Sequence, residues 1–205
     1  MVSRNFFRFN TTNIISAETD NEDILDEAVE WCDRYELLFS RVDPASELFR
    51  LNSAEGRPTA VDAELAAFIE TALSYCREVD GLFDVTMGSA TQLWNFKDCM
   101  IPARDDVAAA LRHVDYRGVI VNDAVVTLRD PLACVDLGGI AKGYIADGIL
   151  AAWNTRWSTS AATWPSWAAS PMEHRGAWAS AVPFPPARCR CLIRSPSWPC
   201  AMARP

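Results

Sequence analysis

Histidine is almost missing from this chain: His113 and His174 are the only two in 205 residues. Both are isolated in the sequence, with no Ser, Cys or carboxylate constellation around them, so nothing supports a hydrolase triad. Long apolar runs are absent as well, and a helix needs about 20 consecutive apolar residues to span a bilayer. The segment Met1-Val2-Ser3-Arg4-Asn5-Phe6 lacks the apolar core of a secretory or lipoprotein signal, so the chain as written reads as cytoplasmic. Positive charge is scarce. A formal net charge of −8 argues against a nucleic-acid binder, which carries a basic face. Cysteines at metal-ligand spacing are lacking: Cys32, Cys76, Cys99 and Cys134 stand singly, which predicts buried, reduced thiols. Cys189 and Cys191 have no second ligand pair to make a zinc site. There are no internal repeats.

What is present divides unevenly. Through Leu150 the chain holds 26 acidic and 13 basic residues; beyond it stand six arginines, Glu173 and no lysine. Six of the eight tryptophans and eight of the twelve prolines also lie beyond Leu150. The length suits one domain with a sizeable core. Residues 5–150 carry clear periodicity, whereas residues 151–205 have neither a helical nor a strand pattern and read as a disordered tail outside the domain.

Phe6 to Ser16 reads as one strand. Thr19-Asp20 offers a cap for a helix from about Asn21 to Phe39, whose apolar side is Leu25, Ala28, Val29, Cys32, Tyr35 and Leu38. Asp43-Pro44 breaks it, and Ser46 to Leu51 reads as a short connection. Asp62 caps a second helix, Ala63 to Val79, with Leu65, Phe68, Ile69, Ala72, Leu73 and Cys76 on one face, and Gly81 closes it. Leu82 to Phe96 is irregular. Asp105-Asp106 opens a short helix to His113, and Val119–Val121 with Val125–Leu128 forms a hairpin about Asn122-Asp123. Leu132–Leu137 reads as a buried strand feeding a helix from Gly139 to Leu150. The fold class is α+β, a single mixed α/β domain.

The run Val135-Asp136-Leu137-Gly138-Gly139-Ile140-Ala141-Lys142-Gly143-Tyr144 opens a helix through two glycines. Unpaired N–H groups and the positive end of the dipole favour an anion there, and Asp136 and Lys142 flank the opening. A diphosphate site is one reading; the other is a tight connection with Asp136 as helix cap and Lys142 in solvent. Gly81-Leu82-Phe83-Asp84-Val85-Thr86-Met87-Gly88 is either a nucleotide cradle using Asp84 and Thr86 or an ordered loop that tucks Phe83 and Val85 into the core. Leu93-Trp94-Asn95-Phe96 fits core packing better than a stacking platform.

Taken together, three motifs resemble those of the FAD:protein FMN transferases, the ApbE-like flavin transferases. They are Phe39-Ser40-Arg41-Val42-Asp43-Pro44-x-Ser46-Glu47-Leu48-x-Arg50-Leu51-Asn52, then Gly81–Gly88 with Leu93-Trp94, then Val135–Tyr144. The resemblance covers about residues 5–150 and implies a Mg²⁺-dependent enzyme. It would split FAD and attach FMN to a Ser or Thr of a target flavoprotein, such as a subunit of a membrane redox complex. It also implies that Leu82, Phe83, Asp84, Asp136 and Lys142 contact FAD and that Gly139 offers its carbonyl to the metal. Val42 would line the site where the family often has an aromatic. Cutting a pyrophosphate needs in-line positioning and charge neutralisation more than covalent help, which agrees with such a residue set. Phe9-Asn10-Thr11 stands where the family has Met-Gly-Thr. The family's later Asp-Pro-x-Thr-Gly motif, with its remaining metal ligands, has no counterpart here. Family members are often exported or membrane-anchored. An FAD pyrophosphatase, or an inactive remnant that binds flavin nucleotide, remains an alternative.

The composition of the tail resembles a GC-rich gene translated out of frame. Trp and Met have single codons, so a reading one base off forces Ala from Trp164-Pro165 and Gly from Trp167-Ala168, Met172-Glu173 and Trp178-Ala179. The same shift lets Trp153–Ser180 read as a strand, a Gly-Gly-Asp turn and a Pro-Asp-Gly hairpin. The expectation is a frame-changing deletion near residues 150–153, with the C-terminal part of the domain missing or replaced.

Overall fold

The computed structural model describes residues 2–17, 19–95, 100–157 and 189–192, with residues 154–157 and 189–192 described by backbone alone. Strands β1 (Val2–Arg8) and β2 (Thr11–Ala17) pair antiparallel, from Val2↔Ala17 to Arg8↔Thr11. The expected single strand Phe6–Ser16 is therefore two. Phe9 and Asn10 form the turn with φ of 54° and 56°, the left-handed backbone that two-residue hairpins favour. No glycine marks this turn. It is braced by Asn13 Nδ2, which donates to the carbonyls of Arg8 (3.0 Å) and Thr11 (3.1 Å), and by Phe9 N–H, which donates to Glu36 (3.0 Å).

Helix α1 (Asp23–Phe39) starts two residues later than expected. Thr19 Oγ1 accepts from Asn21 N, and Asn21 Oδ1 accepts from Asp23 N, so side-chain turns take the place of the first helical residues. Its buried face includes Leu25, Ala28, Cys32, Tyr35 and Leu38, while the expected Val29 is not fully buried. Residues 47–52 are not a mere connection: they form α2 (Glu47–Asn52), capped by Ser46. Strand β3 (Thr59–Ala60) precedes α3 (Ala63–Glu78), which Asp62 caps and whose buried face is the expected one.

Short helix α4 (Gly88–Thr91) and α5 (Arg104–Ala110) follow, the latter running into a 3₁₀ turn at Leu111–His113. Strands β4 (Val119–Asn122) and β5 (Val125–Leu128) make the expected hairpin, and β3 flanks β5 to give the order β3-β5-β4. Residues 132–137 are a correction: they form no ladder, only a single parallel bridge between Cys134 and Met87. Helix α6 (Gly138–Trp157) begins one residue earlier than expected and continues past Leu150. Strand β6 (Cys189–Leu192) pairs antiparallel with the free edge of β2. Residues 151–157 and 189–192 are thus helix and strand where a patternless tail is expected, while the remainder of the tail and the frame reading lie outside the described residues.

One hydrophobic core joins α1, α3 and α6. Tyr144 of α6 stacks on Phe68 of α3 with ring centroids 4.1 Å apart, and meets Phe39 and Tyr35 of α1 edge-on at 5.9 and 6.0 Å. Such pairs stabilise by about 1 kcal/mol each beyond the area they bury. Burial, then a hydrogen bond with Glu64, pushes the Tyr35 phenol far above its usual pKa. Cys32, Cys76 and Cys134 are buried and not in disulfides, as expected, whereas Cys99 lies outside the described residues. Desolvation raises the Cys76 and Cys134 thiols. The packed helices hold α6 so that its N-terminal end faces the loops carrying the sequence motifs.

Candidate functional site

Residues 133–137 cross the domain without a strand on either side, so their backbone polar groups need other partners. Cys134 N–H donates to Ser89 Oγ at 2.9 Å. Asn52 takes both backbone groups of Val135: its Oδ1 accepts from Val135 N at 2.8 Å and its Nδ2 donates to Val135 O at 2.9 Å. Asp136 N–H donates to Val85 O at 2.7 Å. Close approach of α4 makes this possible, because a Cβ on Gly88 would sit 2.5 Å from the Cys134 carbonyl oxygen.

This anchored segment delivers Asp136 to the start of α6. Its Oδ1 accepts from Gly138 N at 2.9 Å, and its Oδ2 pairs with Arg41 Nε at 2.9 Å, with Thr91 Oγ1 3.5 Å away. Asp136 thus caps the helix and carries an ion pair at once. Gly138 and Gly139 are exposed, and a Cβ on Gly139 would meet Phe83 at 3.3 Å. Phe83 and the diglycine opening are therefore neighbours, as the shared-site reading requires. Lys142 is half-buried one turn into α6 and makes no ion pair among the described residues. Leu82 is 93 % exposed and Val42 67 % exposed, so both offer apolar surface without contributing to the core.

Asp84 is committed to the protein itself. Its Oδ1 accepts from Thr86 N (2.7 Å) and Thr86 Oγ1 (2.6 Å), and its Oδ2 accepts from Tyr116 N (3.0 Å). Thr86 is fully buried, which corrects its placement among nucleotide-facing groups. Val85 enters the core as the ordered-loop reading holds, but Leu93 is exposed and stands outside the core, contrary to expectation. Phe96 lies outside the described residues.

Sequence reasoning missed three participants. Arg41 and Asn52 stood inside a motif without a role, because partners 95 and 83 positions away are invisible along the chain. His113 is not isolated, which is a further correction: its Nδ1 lies 2.7 Å from Asp130 Oδ2. This pair does not make a triad with Ser89, whose hydroxyl contacts the His113 backbone carbonyl (3.3 Å).

No three His, Cys, Asp or Glu side chains among the described residues group as a metal site, and Asp136 is taken up by Arg41 and Gly138. Mg²⁺ demands an octahedron of oxygens. The Gly139 carbonyl would be one of them.

Architecture and motif placement define a mixed α/β protein of the flavin-transferase fold. The ApbE protein of Thermotoga maritima superposes with a TM-score of 0.68 at 26 % identity, over 75 % of this chain and 52 % of that one. The flavin transferase ApbE of Vibrio cholerae gives 0.67 at 22 % identity, over 76 % and 53 %. The ApbE family model matches residues 9–162, and the chain belongs to that family. It is 32 % identical over 136 residues to the FAD:protein FMN transferase of Treponema pallidum (strain Nichols), and 32 % identical over 121 residues to that of Klebsiella pneumoniae (strain 342). These stretches make up 62 % and 57 % of this chain but only 38 % of either relative.

Proposed function

We propose that this chain carries the FAD-binding part of a FAD:protein FMN transferase. The observation that carries the reading is the convergence of Arg41, Phe83 and Asp136 on the open diglycine start of α6, within the stretch that matches the family. In the proposed reaction a Ser or Thr hydroxyl of a target flavoprotein attacks the FMN-side phosphorus of FAD. A phosphorus–oxygen bond to the acceptor forms, the bond to the bridging oxygen breaks, AMP leaves, and the hydroxyl proton is released. Residues of this chain bind and orient: Leu82, Phe83 and Val42 offer apolar surface to the flavin nucleotide, Asp136 a polar contact, and Lys142 a positive charge near the phosphates. Asp84 would serve through its backbone surroundings, since both carboxylate oxygens are already engaged.

Magnesium dependence belongs to the same proposal, with the Gly139 carbonyl as one ligand. The acceptor is a flavoprotein of unspecified identity, such as a membrane redox subunit. Among the described residues no helix is long and apolar enough to cross a membrane. The test is titration of the full chain with FAD, following flavin fluorescence. Saturable binding that weakens about tenfold or more in Asp136→Asn and in Lys142→Ala is expected. Binding indifferent to both substitutions would sink the site assignment.

A second reading is a remnant that binds the nucleotide without turning it over: among the described residues no three His, Cys, Asp or Glu side chains group as a metal site. A pyrophosphatase would use the same site with water as acceptor. AMP release with and without an acceptor peptide separates the three.

A further inference from the structure

Segment 39–52 reaches residues 135 and 136 at two points. Arg41 pairs with the Asp136 side chain, and eleven positions later Asn52 grips the Val135 backbone. Between them, Ser46 Oγ donates to the Ser40 carbonyl and accepts from Phe49 N, so both contacts issue from one braced unit. The grip on Val135 is unusual in kind. A side-chain amide offers one donor and one acceptor side by side, the pair that a neighbouring antiparallel strand would present to one residue. Val135 is fully buried and lies in no strand, so without Asn52 its N–H would be orphaned and its carbonyl would keep only the Cys134 Sγ, 3.9 Å away. Its neighbours are held differently: Cys134 by the Ser89 hydroxyl and Asp136 by the Val85 carbonyl.

We propose that Asn52 is a positioning residue for the nucleotide site. It acts as a one-residue substitute for a sheet neighbour, fixing Val135 so that the Asp136 carboxylate and the diglycine opening keep their alignment. The assignment rests on the reading that the site takes FAD. Asn52 touches no ligand; it works through Asp136. A shift of that carboxylate alters any contact it makes.

A double-mutant cycle tests this in the full 205-residue chain with FAD as the probe. Asn52→Leu removes the donor and the acceptor at similar volume. Asn52→Asp, of the same shape, sets a carboxylate oxygen against the Val135 carbonyl and serves where the Leu variant does not fold. Each is expected to weaken FAD binding about tenfold or more in the otherwise unaltered chain, and to add little in an Asp136→Asn background. Hydrogen exchange at the Val135 and Asp136 amides is expected to speed up in both variants. An equal loss in both backgrounds would show that Asn52 does not act through Asp136. Faster exchange with unchanged affinity would leave Asn52 a purely structural clamp. If the unsubstituted chain binds no FAD, the functional reading itself fails and the positioning role falls with it. That case differs from the others because the parent, not the variant, lacks binding.

Discussion

Asp130 shows how a single side chain ties pH to the fold. The hydrogen bond from His113 holds its carboxyl below the usual range, helped by the Leu132 N–H. A carboxyl with a depressed folded-state pKa contributes stability that is present above the unfolded value and lost as pH falls through the folded one. Asp130→Asn is therefore expected to lower Tm at pH 7, and the gap to the unsubstituted chain to close as pH falls from 7 to below the ordinary carboxylate range, about 4. The effect is small, because the Asp130 side chain is 38 % exposed and water screens the pair. A constant gap across that range, read by thermal melts, would contradict the assignment. Phe83, Asp136 and Gly139, three of the residues that the resemblance implies, lie together at the start of α6. What was not legible is who holds them. His113 finds its carboxylate 17 positions away, and nothing local in the sequence announces that contact.

Elements with a strong local signal matched expectation, and those built by tertiary contacts did not. Helix α3 has a capping Asp62 and an apolar face of helical period, so its start and buried side follow from sequence. Residues 132–137 have the apolar run of a strand, yet side chains from α2 and α4 satisfy part of their backbone, and no ladder forms. The β1–β2 turn was hidden because Phe9 and Asn10 occupy positions where glycine is the usual marker. Helix α2 was read as a connection since six residues carry too little period to detect. Its integrity depends on Ser46, which is 1 % exposed, caps Phe49 N at 3.2 Å and donates to the Ser40 carbonyl. Ser46→Ala removes the cap and orphans that carbonyl, so it is expected to destabilise the chain by about 1–2 kcal/mol. Because Arg41 and Asn52 issue from the same unit, the variant is also expected to weaken FAD binding. Lower stability in urea with unchanged affinity would separate the cap from the site.

At the scale of the whole molecule, the supply of metal ligands decides what the site can do. The chain spans about 38 % of the curated relatives it matches, and the family match ends at residue 162. Residues 9–162 supply the diglycine opening, Asp136, Lys142 and their supports, but the described part supplies no cluster of acidic metal ligands. Binding and turnover should therefore separate. The chain is expected to bind FAD yet release no AMP above background, with or without an acceptor peptide, in millimolar Mg²⁺. The frame reading supplies the complementary arm: a chain rebuilt by continuing the alternative frame from about codon 150 is expected to gain AMP release and to label the peptide with flavin. The coding DNA decides whether that arm exists. An alternative frame that runs on through Gly-Gly-Asp to an Asp-Pro-x-Thr-Gly motif would locate the missing ligands, whereas one interrupted by stops would make residues 151–205 genuine sequence. Mg²⁺-dependent AMP release by the chain as it stands would overturn the separation, because it would require a complete metal site within these 205 residues.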